Sequence, residues 1–337
     1  MKSVDIRNFT TMKIGGKVSF VKRIERIQDI LEFIDTYENH SKTYTVIGGG
    51  SNVFFGENLT DLSIAKMEIP GIDIVEENNN SVVIKVGAGE NWQGVVDFAV
   101  NKNFSGIESL SGIPGTMGAA PVQNIGAYGN EIKNYLEFVE VYDTKRKEFA
   151  ILKNRDCEFE YRNSIFKKNQ GRWIITSVAI RLLKNGKIKI PKYKDTEKYF
   201  ESWDSKNIKL QDIRDAINKI RSNKLPNPKI IPNCGSFFKN PIIEKSLANK
   251  IVRKFTDMPT FLDGRRTKIP AGYLIEKAGF KGKRFGNIEI YKNNALVLTN
   301  PEGKASFQEI TNVKNIIERE IYKLFGIRLE TEVNIIS

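Results

Sequence analysis

The chain has 337 residues, 40% hydrophobic and 28% charged, with 53 basic against 40 acidic side chains and a net charge of +13. That length exceeds one ordinary core and predicts two or three domains, and the composition is that of a globular protein in water. One histidine, His40, cannot build a Ser-His-Asp triad or a multi-histidine metal site, and Cys157 and Cys234, 77 positions apart, outline neither a disulfide scaffold nor a zinc knuckle.

Cysteine use of this kind fits a reducing cytoplasm. The opening stretch "MKSVDIRNFTTMK" has no apolar h-region and no segment reads as a membrane span, so a cytoplasmic protein without a membrane partner is expected. The positive charge suits a polyanionic partner, yet the lysines are scattered and form no basic tail. His40, in the polar "TYENHSKTY", reads as a solvated side chain at a helix end or loop.

In chain order, "YTVIGGGSNVFF" (44–55) is an apolar run broken by three glycines and resumed after them. Val82 to Val86 form a strand, and Trp92, Val95, Val96 and Ala99 follow at helical spacing. Residues 105–132, "SGIESLSGIPGTMGAAPVQNIGAYGNEI", are too rich in glycine for a regular element. "YLEFVEVYD", "KEFAIL" and "WIITSVAIRLLK" read as three strands. "LQDIRDAINKIRSNK" is a helix with Leu210, Ile213, Ile217 and Ile220 on one face, ended by Pro226 and Pro228, and 224–229 marks a domain boundary.

Beyond it come helices near 244–255 and 271–278 and a strand in "NALVLTN". A capping box, Ser306 with Glu309, opens the final helix, whose buried stripe is read as Val313, Ile316, Ile317, Ile321 and Leu324. After Gly326 the pattern predicts a closing strand, "RLETEVNII", with Leu329, Thr331, Val333 and Ile335 on one face. Glu330, Glu332 and Asn334 take the other.

Glycines after a strand let backbone N–H groups approach a pyrophosphate. "GGGSN" is such a place, although it lacks a P-loop lysine and the Rossmann spacing, and taken alone it reads more readily as a plain turn. "IPGTMGAAPVQNIGAYG" is more specific, being too elaborate for a connection. Together they suggest a dinucleotide between two glycine-rich walls.

The ordered set "NFTTMKIGG", "GGGSNV", "GIPGTMGAAPVQNIGAYG", "CEFEYRNSIFK", "NCGSFFKNP", "IPAGYLIEKAGFKG" and "LETEV" resembles the UDP-N-acetylenolpyruvoylglucosamine reductases, in their larger form, nearly end to end. The resemblance implies an α+β protein: a vanillyl-alcohol-oxidase-type, non-Rossmann FAD-binding domain in two lobes and a separate α/β substrate-binding domain. It divides the chain into a first lobe at 1–67 and a second at 68–223, with a tyrosine loop near 190–203. A substrate domain at 224–327 and a C-terminal strand at 328–337, returning to the active site, complete it. It also implies that NADPH reduces FAD, which then reduces UDP-N-acetylglucosamine enolpyruvate to UDP-N-acetylmuramate in peptidoglycan precursor synthesis.

The same resemblance implies roles. Ser236 is the proton donor, and Arg162 and Glu332 stabilise the enolate intermediate. The flavin is held by Gly48, Gly49, Gly50, Ser51 and Asn52, by Ile113, Pro114, Gly115, Gly118 and Ala119, and by Val122, Ile125, Gly126 and Tyr161. The nucleotide substrate meets Tyr128, Tyr193, Lys224, Asn240, Lys268 and Asn294. Asn294 departs from the longer glutamine amide of a well-known member, and Tyr199 competes with Tyr193 for the loop position.

Read without the resemblance, Ser236 is a turn residue, Arg162 a strand-end surface residue and Glu332 a solvated one. The resemblance favours the functional reading, and the chemistry agrees with it: an arginine fork can hold developing carboxylate charge, and Gly235 would let a substrate come close to the Ser236 hydroxyl. With His40 outside both glycine segments, a non-covalent flavin is expected, and no metal. Another FAD-dependent oxidoreductase of the same fold is the alternative. A nucleic-acid-binding reading rests only on aromatics among lysines in "SIFKKNQGRW", so no nucleic-acid partner is expected and a monomer is.

Overall fold

A twelve-residue strand, Trp173–Lys184, runs through the middle of the largest sheet, and every residue from Ile174 to Ile180 is buried. A buried run that is apolar apart from Thr176 and Ser177 is what a strand covered on both faces requires. The computed structural model describes residues 3–337 apart from the side chain of His40, so the solvated placement expected for that histidine lies outside the described residues. The chain forms two units: the first is built mainly from Val18–Gly49 and Thr60–Ser222, the second from Asp5–Lys17, Gly50–Leu59 and Asn223–Ser337.

In the first unit the central strand pairs antiparallel with Leu136–Asp143 on one side and Ser81–Gly87 on the other; Glu148–Lys153 and Ile72–Glu77 flank them. Helix α1 (Ile27–His40) leads to a smaller sheet, in which Thr43–Ile47 runs parallel to Asn58–Met67. Helix α2 (Trp92–Asn101) buries Trp92, Val95, Val96, Ala99 and Val100 in the same core as Val82, Ile84 and Val86. Asn91 caps α2 by accepting from the Gly94 N–H, which satisfies one of the donors a helix start leaves open. Helix α3 (Lys194–Phe200) lies within the expected tyrosine loop, and α4 (Leu210–Lys224) buries Leu210, Ile213, Ala216, Ile217 and Ile220.

In the second unit Asn233–Ser236, Val297–Thr299, Ile288–Ile290 and Arg284–Phe285 form one antiparallel sheet in that order. Ile242–Glu244, Arg266–Lys268 and Phe261–Asp263 form a second. Helices α5 (Lys245–Lys254), α6 (Ala271–Lys277) and α7 (Phe307–Phe325) carry the rest of the core. Met12, Ile14 and Phe54 belong to that core, so segments near the N-terminus and the C-terminal half fold together.

Two expectations need correction. On α7 the buried stripe is Ile310, Val313, Ile317, Ile321 and Phe325, with Ile316 only partly covered and Leu324 exposed. At 100° per residue Phe325, four after Ile321, stays on the seam, whereas Leu324 falls off it. The closing strand is also shorter: only Asn334–Ile336 is a ladder, running parallel to Val53–Phe55, while Thr331 makes an isolated bridge to Phe238. The alternation survives only in part: Leu329 and Val333 are buried and Glu330 exposed, whereas Thr331, Glu332, Asn334 and Ile335 are all half-buried, since two different neighbours take turns to pair with the segment.

Candidate functional site

The glycine-rich stretches of the first unit pack against each other. A Cβ on Gly48 would lie 2.2 Å from Thr116 Oγ1, and one on Gly49 would lie 3.2 Å from the Cα of Gly115. The 105–132 segment has a definite backbone accounting: Met117 N–H donates to Glu90, Gly118 N–H to Ala88, and Trp92 N–H to Gly115. Trp92 Nε1 reaches the Leu110 carbonyl at 2.9 Å, so the start of α2 staples the segment down. A Cβ on Gly118 would meet that of Ala88 at 2.6 Å. Ile125 is buried, while Ile113 and Val122 are half-buried against the same core. Pro114 is exposed and Ala119 half-buried.

Two features of this surface leave polar groups without a protein partner. Among the described residues no hydrogen bond claims the N–H groups of Gly48 or Gly49, and the buried Thr116 Oγ1 has no partner. Unsatisfied polar groups of this kind call for one.

Further along, the "EYRN" turn closes on itself: Glu160 and Asn163 exchange backbone bonds, and Arg162 takes a left-handed φ of +53°. Asn124 ties that turn in place, donating to the Glu160 carbonyl and the Glu131 carboxylate. Arg162 Nη2 donates to the Gly126 carbonyl at 2.8 Å, and its guanidinium sits 5.4 Å from the Tyr161 ring centre. A Cβ on Gly126 would come within 3.1 Å of Arg162 Nη1, so that glycine leaves the arginine its place.

Tyr128, itself left-handed at φ +52°, meets Tyr193 edge-on with ring centres 5.6 Å apart. Tyr193 is the cap residue of α3, while Tyr199 packs on Phe200 and Trp203. The structure therefore brings Tyr193, not Tyr199, to Tyr128. Burial raises the Tyr128 pKa, with Arg221 acting the other way.

Arg221 is the residue that sequence reasoning missed. Burial pushes its pKa down, the Arg162 charge acts in the same direction, and Tyr128 opposes them. Its Nε donates to the Gly112 carbonyl at 3.2 Å, and no carboxylate pairs with it among the described residues. Two guanidinium groups that feel each other in a desolvated place are stabilised by a bound anion. The signal was present: Arg221 lies four residues after Ile217, inside the apolar stripe of α4.

In the second unit Ser236 ends a strand whose pairing with Val297–Thr299 slips between Asn233 and Ser236. The Asn233 side chain accepts from the Gly235 N–H, Gly235 turns left-handed at φ +73°, and Thr11 bonds to both the N–H and the carbonyl of Asn233. The result is a bulge that presents Ser236, half-buried, with no hydrogen bond to its hydroxyl among the described residues. Glu332 N–H donates to the Phe237 carbonyl, and Asn52 Nδ2 to the Glu332 carbonyl, so backbone bonds hold Glu332 beside the Ser236 loop. Glu330 is exposed and pairs with Lys239 at 3.1 Å.

The amide residues gather around the start of α6. Asn240 Oδ1 accepts from the Ala271 N–H, capping that helix, and Asn294 Oδ1 accepts from Leu296 N–H while lying 3.9 Å from where a Gly272 Cβ would be. Lys268 runs opposite Ile242 in its sheet, with Nζ 3.5 Å from Asp263. Gly50 is left-handed at φ +63°, Ser51 and Asn52 are half-buried, and Lys224 is exposed.

Residues 18–146 match the FAD binding domain family, and residues 226–336 match the C-terminal domain of UDP-N-acetylenolpyruvoylglucosamine reductase. The chain is 38% identical over 336 residues to the UDP-N-acetylenolpyruvoylglucosamine reductase of Flavobacterium johnsoniae, covering 98% of each. It is 35% identical over 337 residues to that of Polynucleobacter asymbioticus, covering 99% of this chain and 96% of the relative. The solved UDP-N-acetylenolpyruvylglucosamine reductase of Thermus caldophilus shares the fold, with a TM-score of 0.68 at 22% identity over 100% of this chain and 98% of that one.

Proposed function

The chain belongs to the UDP-N-acetylenolpyruvoylglucosamine reductase family, and we propose that its two units divide one reduction, the first holding flavin and a cationic site, the second supplying the proton. It is an FAD-dependent reductase of peptidoglycan precursor synthesis: NADPH is the hydride donor, and UDP-N-acetylglucosamine enolpyruvate becomes UDP-N-acetylmuramate. Bound flavin supplies the hydride to the terminal enolpyruvyl carbon, chemistry that no side chain can provide.

The first unit fits such a cofactor on its own evidence. The unclaimed N–H groups of Gly48 and Gly49 and the partnerless Thr116 hydroxyl are donors of the kind a pyrophosphate needs. Gly50, Ser51 and Asn52 continue that loop; Pro114, Gly115, Gly118 and Ala119 form the facing wall, and Tyr161 lies beside it in role.

Reduction leaves negative charge that spreads from the adjacent carbon onto the substrate carboxylate. Arg162, whose Nη2 donates to the Gly126 carbonyl, is held with its guanidinium in a fixed plane and stabilises the charge on that carboxylate. Glu332, held by its backbone beside the Ser236 loop, acts on the same charge as a stabiliser of the enolate-like intermediate. Ser236 delivers its proton to the adjacent carbon, which converts the enolpyruvyl ether to a lactyl ether. Its uncommitted hydroxyl, held out by the Gly235 bulge beside Glu332, is the observation that carries this assignment.

Arg221 joins Arg162 as a second cation for the anionic substrate, and Tyr128 with Tyr193 forms an aromatic cover for the nucleotide. Lys224 and Lys268 meet the diphosphate, and Asn240 and Asn294 keep their amide N–H groups for the nucleotide. The enzyme works as a cytoplasmic monomer supporting wall growth, cell shape and division. The buried free thiols of Cys157 and Cys234 fit a reducing compartment, and no helix is long and apolar enough to cross a membrane among the described residues.

Anaerobic half-reactions test the reading. NADPH should bleach the bound flavin, and the enolpyruvyl nucleotide should restore its colour. Reduced enzyme that ignored this nucleotide but passed electrons to other acceptors would be a different oxidoreductase.

A further inference from the structure

Lys66 is a half-buried ammonium that the chemistry above does not use. It lies on the Asn58–Met67 strand opposite Ile47, the last strand residue before the glycine turn. Its side chain is 15% exposed, and burial pushes its pKa down from the usual lysine range. The Glu68 carboxylate is 3.8 Å away and already holds Arg23 at 2.7 Å. The group Lys66 bonds directly is backbone, its Nζ donating to the Gly48 carbonyl oxygen.

That contact has a geometric consequence. A trans peptide is planar, so its carbonyl and the following N–H point in opposite directions, and the described chain has no cis bond. Lys66 draws the Gly48 carbonyl to its own side, which turns the Gly49 N–H to the other. Gly49 is exposed, and no hydrogen bond claims its N–H among the described residues. Between two glycines a peptide plane can flip with little steric resistance. The lysine therefore selects one of two orientations that the local sequence leaves open.

We propose that Lys66 is a positioning residue for the cofactor: by pinning the Gly48 carbonyl it holds the Gly49 N–H outward as a ready donor to the phosphates of FAD. The proposal rests on the FAD-binding reading. It assigns Lys66 no contact with substrate and no part in hydride or proton transfer.

Titration of apo-protein with FAD and with riboflavin, which lacks the phosphates, separates the possibilities. In Lys66→Met the FAD dissociation constant should rise roughly tenfold or more, as for a lost charged hydrogen bond. Riboflavin binding should change less than about twofold, and Lys66→Arg should recover most of the FAD affinity. Unchanged FAD affinity, or an equal loss for both ligands, overturns the proposal. Wild-type protein that failed to take up FAD would instead overturn the FAD-binding reading itself. Should the methionine variant not fold, the wild type still decides: Gly49 amide exchange should slow at least about tenfold on FAD binding, and unaltered exchange contradicts the proposal.

Discussion

Gly118 in the first unit and Gly235 in the second are glycines for different reasons. At Gly118 a Cβ would press within 2.6 Å of Ala88, and the cause is space. At Gly235 nothing lies within 4 Å of a Cβ, and the cause is torsion, since φ is +73°. The surface proposed to hold the flavin is thus fixed by two segments packed too closely for side chains, whereas Ser236 is positioned by one backbone turn. Space alone does not require glycine at 235. Packing errors in the first unit should damage stability and cofactor content together, while a torsional error in the second should misaim one hydroxyl.

The largest stability effect belongs to Gly118→Ala, which overpacks a junction bounded by the Ala88 side chain and carbonyl. It should cost about 1–3 kcal/mol in urea denaturation and lower the flavin content of purified protein. A variant of wild-type stability would break the comparison, since the segments would then be free to separate. Gly235→Ala has room for its methyl and should cost about 1 kcal/mol through the left-handed turn alone. Its flavin reduction by NADPH should survive, while substrate reduction falls roughly tenfold or more from misplacement. Stopped-flow measurement of the two half-reactions distinguishes these outcomes.

The smallest effect sharpens the contrast without altering the site. Burial pushes the thiols of Cys157, in the first unit, and Cys234, in the second, up to about 12. An unfolded thiol ionises near about 8.5. The stability contributed by keeping each thiol neutral is therefore full below about pH 8.5 and is lost as pH rises toward 12, at about 1.4 kcal/mol per pH unit per thiol. Near pH 8 a thiol reagent should label either cysteine only through opening, so each rate reports one unit. Fast labelling of folded protein would contradict the burial.

Much of the fold was legible because its elements obey simple periods. The α2 face is buried as its pattern requires, and the Trp173–Lys184 strand forms with Ile174 to Ile180 buried. The exposed Leu324 and the short closing ladder were not legible, because both depend on which neighbour meets the segment. Strand pattern could not reveal that Asp5–Lys17 folds with the second unit, since Thr11 reaches Asn233 across 222 positions. For the site, Ser236, Arg162 and Glu332 were named through resemblance, while the bulge and left-handed turns that present two of them carry no periodic signal. Arg221 was readable as a cation in an apolar stripe. Lys66 was not, for its partner is a backbone carbonyl.

The central claim is that the hydroxyl aimed by the Gly235 turn is the proton donor. Ser236→Ala, followed through both half-reactions under anaerobic conditions, tests it most directly. Flavin reduction by NADPH should proceed at close to the wild-type rate, while reoxidation by the enolpyruvyl nucleotide slows by roughly 100-fold or more. Equal slowing of both half-reactions, or normal reoxidation, would contradict it.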